Sequence, residues 1–498
     1  MNTQQSSYRQ IMAATSLFGG VQVFQILIQI IRSKFVAVLL GPAGMGIVGL
    51  LTSTLGLISG LTNFGLGTSA VKDIAEARTT ENETRIATVT IVLRRLVWIS
   101  GTLGTIVVLA ASPWLSRLTF GNSEYTLAYI WISISLLFNQ LTSGQLVLLQ
   151  GMRKLQYLAQ ANLFGSLLGL LITVPLYYKW GIDGIVPGII LTSVTSFLIA
   201  LFFSNKISLQ KVRVSKVRTI AVGRNMVTMG FMISLSGFIS LGVSYLLQIF
   251  INRHGGVADV GLYNAGFTLI NTYVGLIFTA MATDYYPRLS AIAHNNLFCK
   301  ETINQQAEVA LLILAPIVVG FLVFINWAII LLYSSKFIAV NTMVYWAALG
   351  MFFKAASWAI AFIFLAKGTS KLFFWNELSG NLYMLILNVS GYYFFGLTGL
   401  GISFLLGYLV YLIQVFVIAK LKFEFSFNSD FLKVFIIQFS LALSCFLAVI
   451  SFQQPYPYII GTVLLLISGG YSLNELEKRI GIKEIIKEFT HRNKTTDS

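Results

Sequence analysis

Charge is what this 498-residue chain lacks most. Lys, Arg, Asp and Glu together make up 10% of it, against about 25% in a soluble domain, so it could not cover a water-facing surface with polar groups. That excludes a soluble enzyme, a disordered tail protein and a nucleic-acid reader. Acids are the scarcer sign, 18 against 34 Lys+Arg. Cysteine is nearly missing. Cys299 and Cys445 stand far apart and indicate no disulfide framework, and with only His254, His294 and His491 no Cys/His cluster has metal-ligand spacing. The dipeptide Gly-Lys does not occur, which removes the GxxxxGK[ST] phosphate loop and with it ATP hydrolysis. No H-E-x-x-H, G-x-S-x-G or paired carboxylate set lies on a loop long enough to build an active site. The expectation is a chain that is not an enzyme, takes no cofactor and binds no metal.

Apolar sequence is there in its place. Hydrophobic residues make up 56% of the chain and mean hydropathy is +0.79. A spanning helix takes about 20 residues, and the apolar runs give about fourteen candidate spans between residues 12 and 473. The fold class is therefore an all-α membrane protein. It is read as two six-helix lobes in parallel repeat plus a C-terminal helix pair: an N-lobe over 1–204, a basic linker over 205–225, a C-lobe over 226–420, the extra pair over 421–473 and a tail over 474–498. The polar start MNTQQSSYRQ is followed by a long apolar segment without an A-x-A site, read as a retained first span rather than a signal peptide.

The formal charge of +16 has two readings that are compatible. One is topology, since cytoplasmic loops carry Lys and Arg. With the N-terminus inside, 27 Lys/Arg fall on the inner side and 6 on the outer. A multi-pass protein with both termini cytoplasmic follows. The other is a cationic cavity for an anionic substrate. The stretch NKISLQKVRVSKVRTIAVGRN (205–225) is either a positive-inside linker or a headgroup-binding patch. In the tail, Leu473, Leu476, Ile480, Ile482, Ile485, Ile486 and Phe489 recur at helical spacing, which suits an amphipathic helix on the inner surface or one that docks a partner. A repeat is visible between ILIQIIRSKFVAVLLGPAGMGIVGL and YLLQIFINRHGGVADVGLYNAG. It pairs Arg32 with Arg253 and Gly46 with Gly261.

Charges within spans are costly and usually face a cavity. Arg32 and Lys34 lie near the outer part of span one, Arg253 ends span seven and Lys354 lies inside span ten. Each either lines a cavity or snorkels to the interface. Arg94 and Arg95, two turns into span three, are read as interfacial anchors. Two acids, Asp284 and Glu377, are candidates for a gate or ion coupling. Asp284 can pair with Arg288 four residues on, and a Lys354–Glu377 pair on adjacent spans is an open alternative. Fixed positive charge with few acids suits a polyanion, and diphosphate fits arginine forks.

The run from Arg32 to Gly41-Pro42-Ala43-Gly44-Met45-Gly46, then Gly65-Leu66-Gly67-Thr68-Ser69-Ala70-Val71-Lys72-Asp73-Ile74-Ala75, and Tyr286-Pro287-Arg288-Leu289-Ser290, resemble the O-antigen (Wzx-type) polysaccharide flippases of the multidrug/oligosaccharidyl-lipid/polysaccharide exporter superfamily. The resemblance implies a two-lobed flippase of the bacterial inner membrane. It would move undecaprenyl-diphosphate-linked O-antigen units of lipopolysaccharide biosynthesis to the periplasmic leaflet by alternating access. Besides the lipid-linked glycan and membrane lipids, it implies a polysaccharide polymerase and a chain-length regulator as partners, and no nucleic acid. In related lipid II flippases an arginine nine residues before the first-turn glycine is functionally important; Arg32 stands nine before Gly41. A cation-coupled multidrug antiporter of the same superfamily is the alternative. It needs membrane-embedded carboxylates, which are few here.

Overall fold

Charges and turn residues cut the apolar runs where helices end. The computed structural model describes residues 24–79, 82–210 and 212–480, and all regular structure among them is helical. The start of the first span and the tail beyond residue 480 lie outside the described residues. Helix α1 covers 24–39, and α2 (Gly41–Thr62) follows at once. The break is made by Gly41, whose φ of +68° suits only glycine, with Pro42 opening the next helix. Then come α3 (Leu66–Thr79), α4 (Glu83–Phe120), α5 (Thr126–Gly151), α6 (Leu155–Trp180), α7 (Ile185–Ser204) and α8 (Lys216–Gly255). The Asn82 and Ser215 side chains accept from the third residue on and cap α4 and α8.

The chain goes on through α9 (Val257–Phe267), a π-helical turn (Thr268–Val274), α10 (Leu276–Ala291), α11 (Asn296–Leu332) and α12 (Asn341–Ala366). The last helices are α13 (Ser370–Phe423), kinked at Gly396, then α14 (Ser429–Ser451) and α15 (Tyr456–Ile480). Nine helical stretches among the described residues are long and apolar enough to cross a membrane. Two of them, Leu155–Ser204 and Ser370–Phe423, are hairpins folded at Gly181 and Gly396. α9 and α10 fall below spanning length because the π turn divides them, and α1 is described only in part. This measure does not reach the expected count of fourteen. The chain is an all-α, multi-pass membrane protein.

Packing divides the chain into two units: Met1–Gly261 with Leu332–Lys336, and Leu262–Leu331 with Phe337–Ser498. In the first, α4 packs on α5, α5 and α6 on α7, and α8 on α2, α3 and α4. Leu51, Leu55, Tyr129, Ile132 and Leu136 form one core cluster. A second, around Ile74, Val92, Leu93 and Leu148, takes in the connecting segment itself. Val214 is buried there, and Ile207, Leu209 and Val212 pack against it. Arg95 Nη1 donates to Val214 O at 3.0 Å and to Thr219 Oγ1. The basic stretch is thus strapped to the first unit. In the second, α12 packs on α13, and α14 on α12 and α15. These are units of packing, whereas the lobes read over 1–204 and 226–420 are units of repeat, and the two divisions need not coincide.

The repeat itself has a backbone signature. Gly41 and Gly256 both take positive φ (+68° and +85°), as do Gly181 and Gly396 (+54° and +59°). The two pairs have the same separation in the chain, and Gly46/Gly261 and Gly184/Gly399 share it. This register sets Leu247, not Arg253, opposite Arg32. The turn glycines fix the alignment, whereas matching arginine to arginine required a gap. Within the first unit Gly46 and Gly261 also meet reciprocally. A Cβ on Gly46 would lie 1.9 Å from Val257 O, and one on Gly261 1.9 Å from Pro42 O.

Candidate functional site

In the first unit, five helices, α1, α3, α5, α6 and α7, leave a recess of about 480 Å³ between them. α5 contributes Asn139, Ser143 and Gln150, α6 Asn162 and Ser166, and α7 Thr192 and Ser196. Each helix sets polar residues three, four or seven apart on one face, as helical periodicity requires. Small residues at the back, Gly67, Ala161, Gly165 and Ala200, keep the recess open. Asn139, Ser143, Gln150, Asn162, Ser166 and Ser196 have no side-chain hydrogen bond to another described residue, and the buried Thr192 hydroxyl is also unpartnered. Among the described residues, Arg32 is the only charged one in the lining. It is half-buried and stands beside the buried Tyr177 hydroxyl. Uncommitted amides and hydroxyls suit sugar hydroxyls, and a lone guanidinium suits a phosphate.

Lys354 lies in the second unit, on α12. Its Nζ donates to Asn271 Oδ1 at 2.6 Å and sits 5.2 Å from the Tyr408 ring centroid and 5.7 Å from that of Phe404. Asn271 belongs to the π-helical turn, a geometry frequent at functional sites. No Lys354–Glu377 ion pair is formed. Glu377 instead accepts from Tyr411 OH at 2.5 Å and from Asn376 Nδ2 at 3.3 Å. Gln414 Nε2 donates to Asn376 Oδ1 at 2.7 Å and closes the network. The Tyr408 ring lies edge-on to Tyr411 at 6.4 Å. Lysine and glutamate therefore sit at the two ends of an aromatic row.

The other candidates fall elsewhere. Lys34 is half-buried and is not in the recess lining. Arg253 Nη2 donates to Leu118 O at 2.9 Å and also to Arg117 O, both at the end of α4, where a cation complements the exposed carbonyls. Asn252 Nδ2 joins it on Thr119 O at 2.7 Å. The Asp284 side chain is 84% exposed and lies 3.9 Å from Arg288 Nε, a weak surface pair. No group of three metal-binding side chains occurs among the described residues. Sequence reasoning missed the recess lining and the Tyr411–Asn376–Gln414 network. The available signal was the set of amides inside apolar runs at 139, 162, 376 and 414.

Comparison with known proteins bears on this arrangement. The model of the polysaccharide biosynthesis protein family matches residues 35–342. Lipid III flippases of Escherichia coli (strain K12) and Shigella flexneri are each 23% identical over 353 residues, covering 70% of this chain and 83% of theirs. Among solved structures, the lipid II flippase MurJ in its inward closed conformation superposes with a TM-score of 0.67 at 14% identity, over 93% of this chain and 99% of that one. An inward-facing multidrug resistance MATE family transporter of the MOP superfamily gives 0.66 at 18%, over 80% and 94%. At these identities the structures establish the fold.

Proposed function

Since the chain belongs to the polysaccharide biosynthesis protein family, we propose that it is a flippase for a lipid-linked oligosaccharide. Its substrate class would be undecaprenyl-diphosphate-linked O-antigen units, moved from the cytoplasmic to the periplasmic leaflet of a bacterial inner membrane. Both termini would be cytoplasmic, with a polysaccharide polymerase and a chain-length regulator acting downstream. The carrying observation is the recess, which is lined by neutral hydrogen-bonding groups and has one cation, Arg32. A glycan needs many weak, neutral partners, and its diphosphate needs a fork-shaped cation. The polyprenyl tail would remain in lipid. Lys354, in the second unit, is a phosphate-contact candidate in its own right, able to release Asn271 for a phosphate oxygen. Lys34 and Arg253 rank behind, Arg253 because its guanidinium is spent on α4 carbonyls. Glu377 and Asp284 stand as coupling candidates, Glu377 foremost because its carboxylate accepts from two side chains, Tyr411 and Asn376, the second of them held by Gln414. A multidrug antiporter would want a carboxylate in the recess for its cationic cargo, and the lining has none.

The test is the leaflet occupied by the lipid-linked unit. Cells lacking the protein should accumulate complete units in the cytoplasmic leaflet, and Arg32→Ala should reproduce this at normal protein level, with Arg32→Lys partly restoring export. Export unchanged in Arg32→Ala would overturn the recess as the headgroup site. Accumulation of incomplete or mis-sized chains would point to a transferase or polymerase instead.

A further inference from the structure

Arg94 and Arg95 are adjacent on α4 and do different things. Arg95 holds the connecting segment through Val214 O and Thr219 Oγ1. Arg94, about 100° further round the helix, is exposed and has no hydrogen-bond or ion-pair partner among the described residues. It opens onto a groove of about 200 Å³ between α4, α5 and α7, separate from the recess that holds Arg32.

The groove has a direction. The Lys/Arg count assigns the start of α4 and the ends of α5 and α7 to the inner membrane face. Away from that face α4 contributes Arg94, then Val97 and Trp98; α5 contributes Gln145, then Leu141; α7 contributes Asn205, then Leu201 and Phe197. All three helices therefore run from a polar residue at the inner surface to apolar residues deeper in. Gln145 Oε1 accepts from Ser204 Oγ at 2.7 Å, which leaves its amide NH₂ free. Asn205 caps α7 with its backbone and leaves its side chain uncommitted. Trp98 is 53% exposed. Lys206, next to Asn205 in the chain, is drawn off onto the rings of Tyr157, Phe202 and Phe203 at 4.7–5.4 Å, and Arg94 is the cation in the groove lining among the described residues.

We propose that this groove binds an anionic phospholipid of the inner leaflet. The Arg94 fork and the Gln145 and Asn205 amides hold its phosphate, and one acyl chain lies along Trp98, Leu201 and Phe197. A free phosphate would use the polar end alone and leave the apolar slope without a role. A lipid uses both, in the order in which the membrane presents them. The inference rests on the inside assignment of these helix ends and not on the flippase reading.

The test uses the full-length protein in detergent with lipids brominated on the acyl chain, which quench nearby tryptophan. Brominated phosphatidylglycerol should quench with an apparent affinity about tenfold tighter than brominated phosphatidylethanolamine. That preference should vanish in Arg94→Gln and persist in Arg94→Lys at reduced strength. It should also persist in Arg224→Gln, which removes an exposed charge elsewhere on the same face. In Trp98→Phe the headgroup-dependent part of the quenching, but not the thermal stabilisation by phosphatidylglycerol, should be lost. Three results would each overturn the proposal. One is an equal loss in Arg224→Gln, meaning surface charge alone. Another is full displacement by millimolar inorganic phosphate, meaning a simple anion site. The third is unchanged lipid preference in Arg94→Gln.

Discussion

Replacing Gly261 by alanine tests the reciprocal crossing at Gly46 and Gly261. An ideal Cβ on Gly261 would lie 1.9 Å from Pro42 O and 2.9 Å from Gly46 N, both backbone atoms that no rotamer change can move. Real carbon–oxygen contacts need roughly 3.2 Å or more, so the chains must part by more than about 1 Å. Overpacking of this kind costs about 1–3 kcal/mol, a five- to hundredfold fall in the population of the packed arrangement. Gly46→Ala presses on Val257 O from the other side of the same crossing. Once one methyl has separated the segments, the second has room. The double variant should therefore cost clearly less than the sum of the two single ones, by about 1 kcal/mol. Thermal unfolding of the four purified proteins in detergent gives the cycle. Additive losses, or a Gly261→Ala protein as stable as the parent, would refute the shared-crossing argument.

Other outcomes follow from single contacts. Lys354→Met should reduce export more than Asn271→Ala does. The lysine is the proposed headgroup contact, whereas Asn271 only parks it; polysaccharide export normalised to protein level separates the two. Arg479→Ala should lower stability by about 3 kcal/mol, because it strands Glu308, whose side chain is 6% exposed and 2.9 Å from Arg479 Nε. Adding Glu308→Gln should recover most of that loss in the same melting assay. Asp73, on α3 outside the spans, has its carboxyl pushed up by burial first and by Glu76 second, against Lys72 and Arg85. A raised folded pKa means that ionisation opposes folding. Its stabilising contribution is present below the ordinary aspartate value and is lost as pH rises through the raised one. Asp73→Asn should therefore melt higher than the parent at pH 7, with the gap shrinking towards pH 4.

The helical, membrane-embedded nature of the chain was legible because hydropathy is additive along sequence; each apolar run carries its own signal. The first turn was legible too, at Gly41 followed by Pro42. The part played by Arg253 was not legible, because an arginine at the end of a run looks the same whether it lines a cavity or caps a neighbouring helix. The choice depends on Leu118 and Arg117, more than 130 positions away. The recess was hidden for a related reason. Asn139, Asn162 and Ser196 are ordinary residues on separate helices, and only packing gives them one wall. The π turn that brings Asn271 to Lys354 leaves no periodic trace in a stretch of seven residues.

The strap formed by Ile207, Leu209, Val212 and Val214 has a practical consequence for anyone who engineers the protein. A charged, glycine-poor connector between two helical blocks is where one would splice in a fluorescent reporter or a protease cleavage site. Here that splice would pull Val214 out of the core and free Arg95 from its carbonyl. The turn Gly121-Asn122-Ser123-Glu124, exposed at all four positions, is the safer place for cargo on the opposite face.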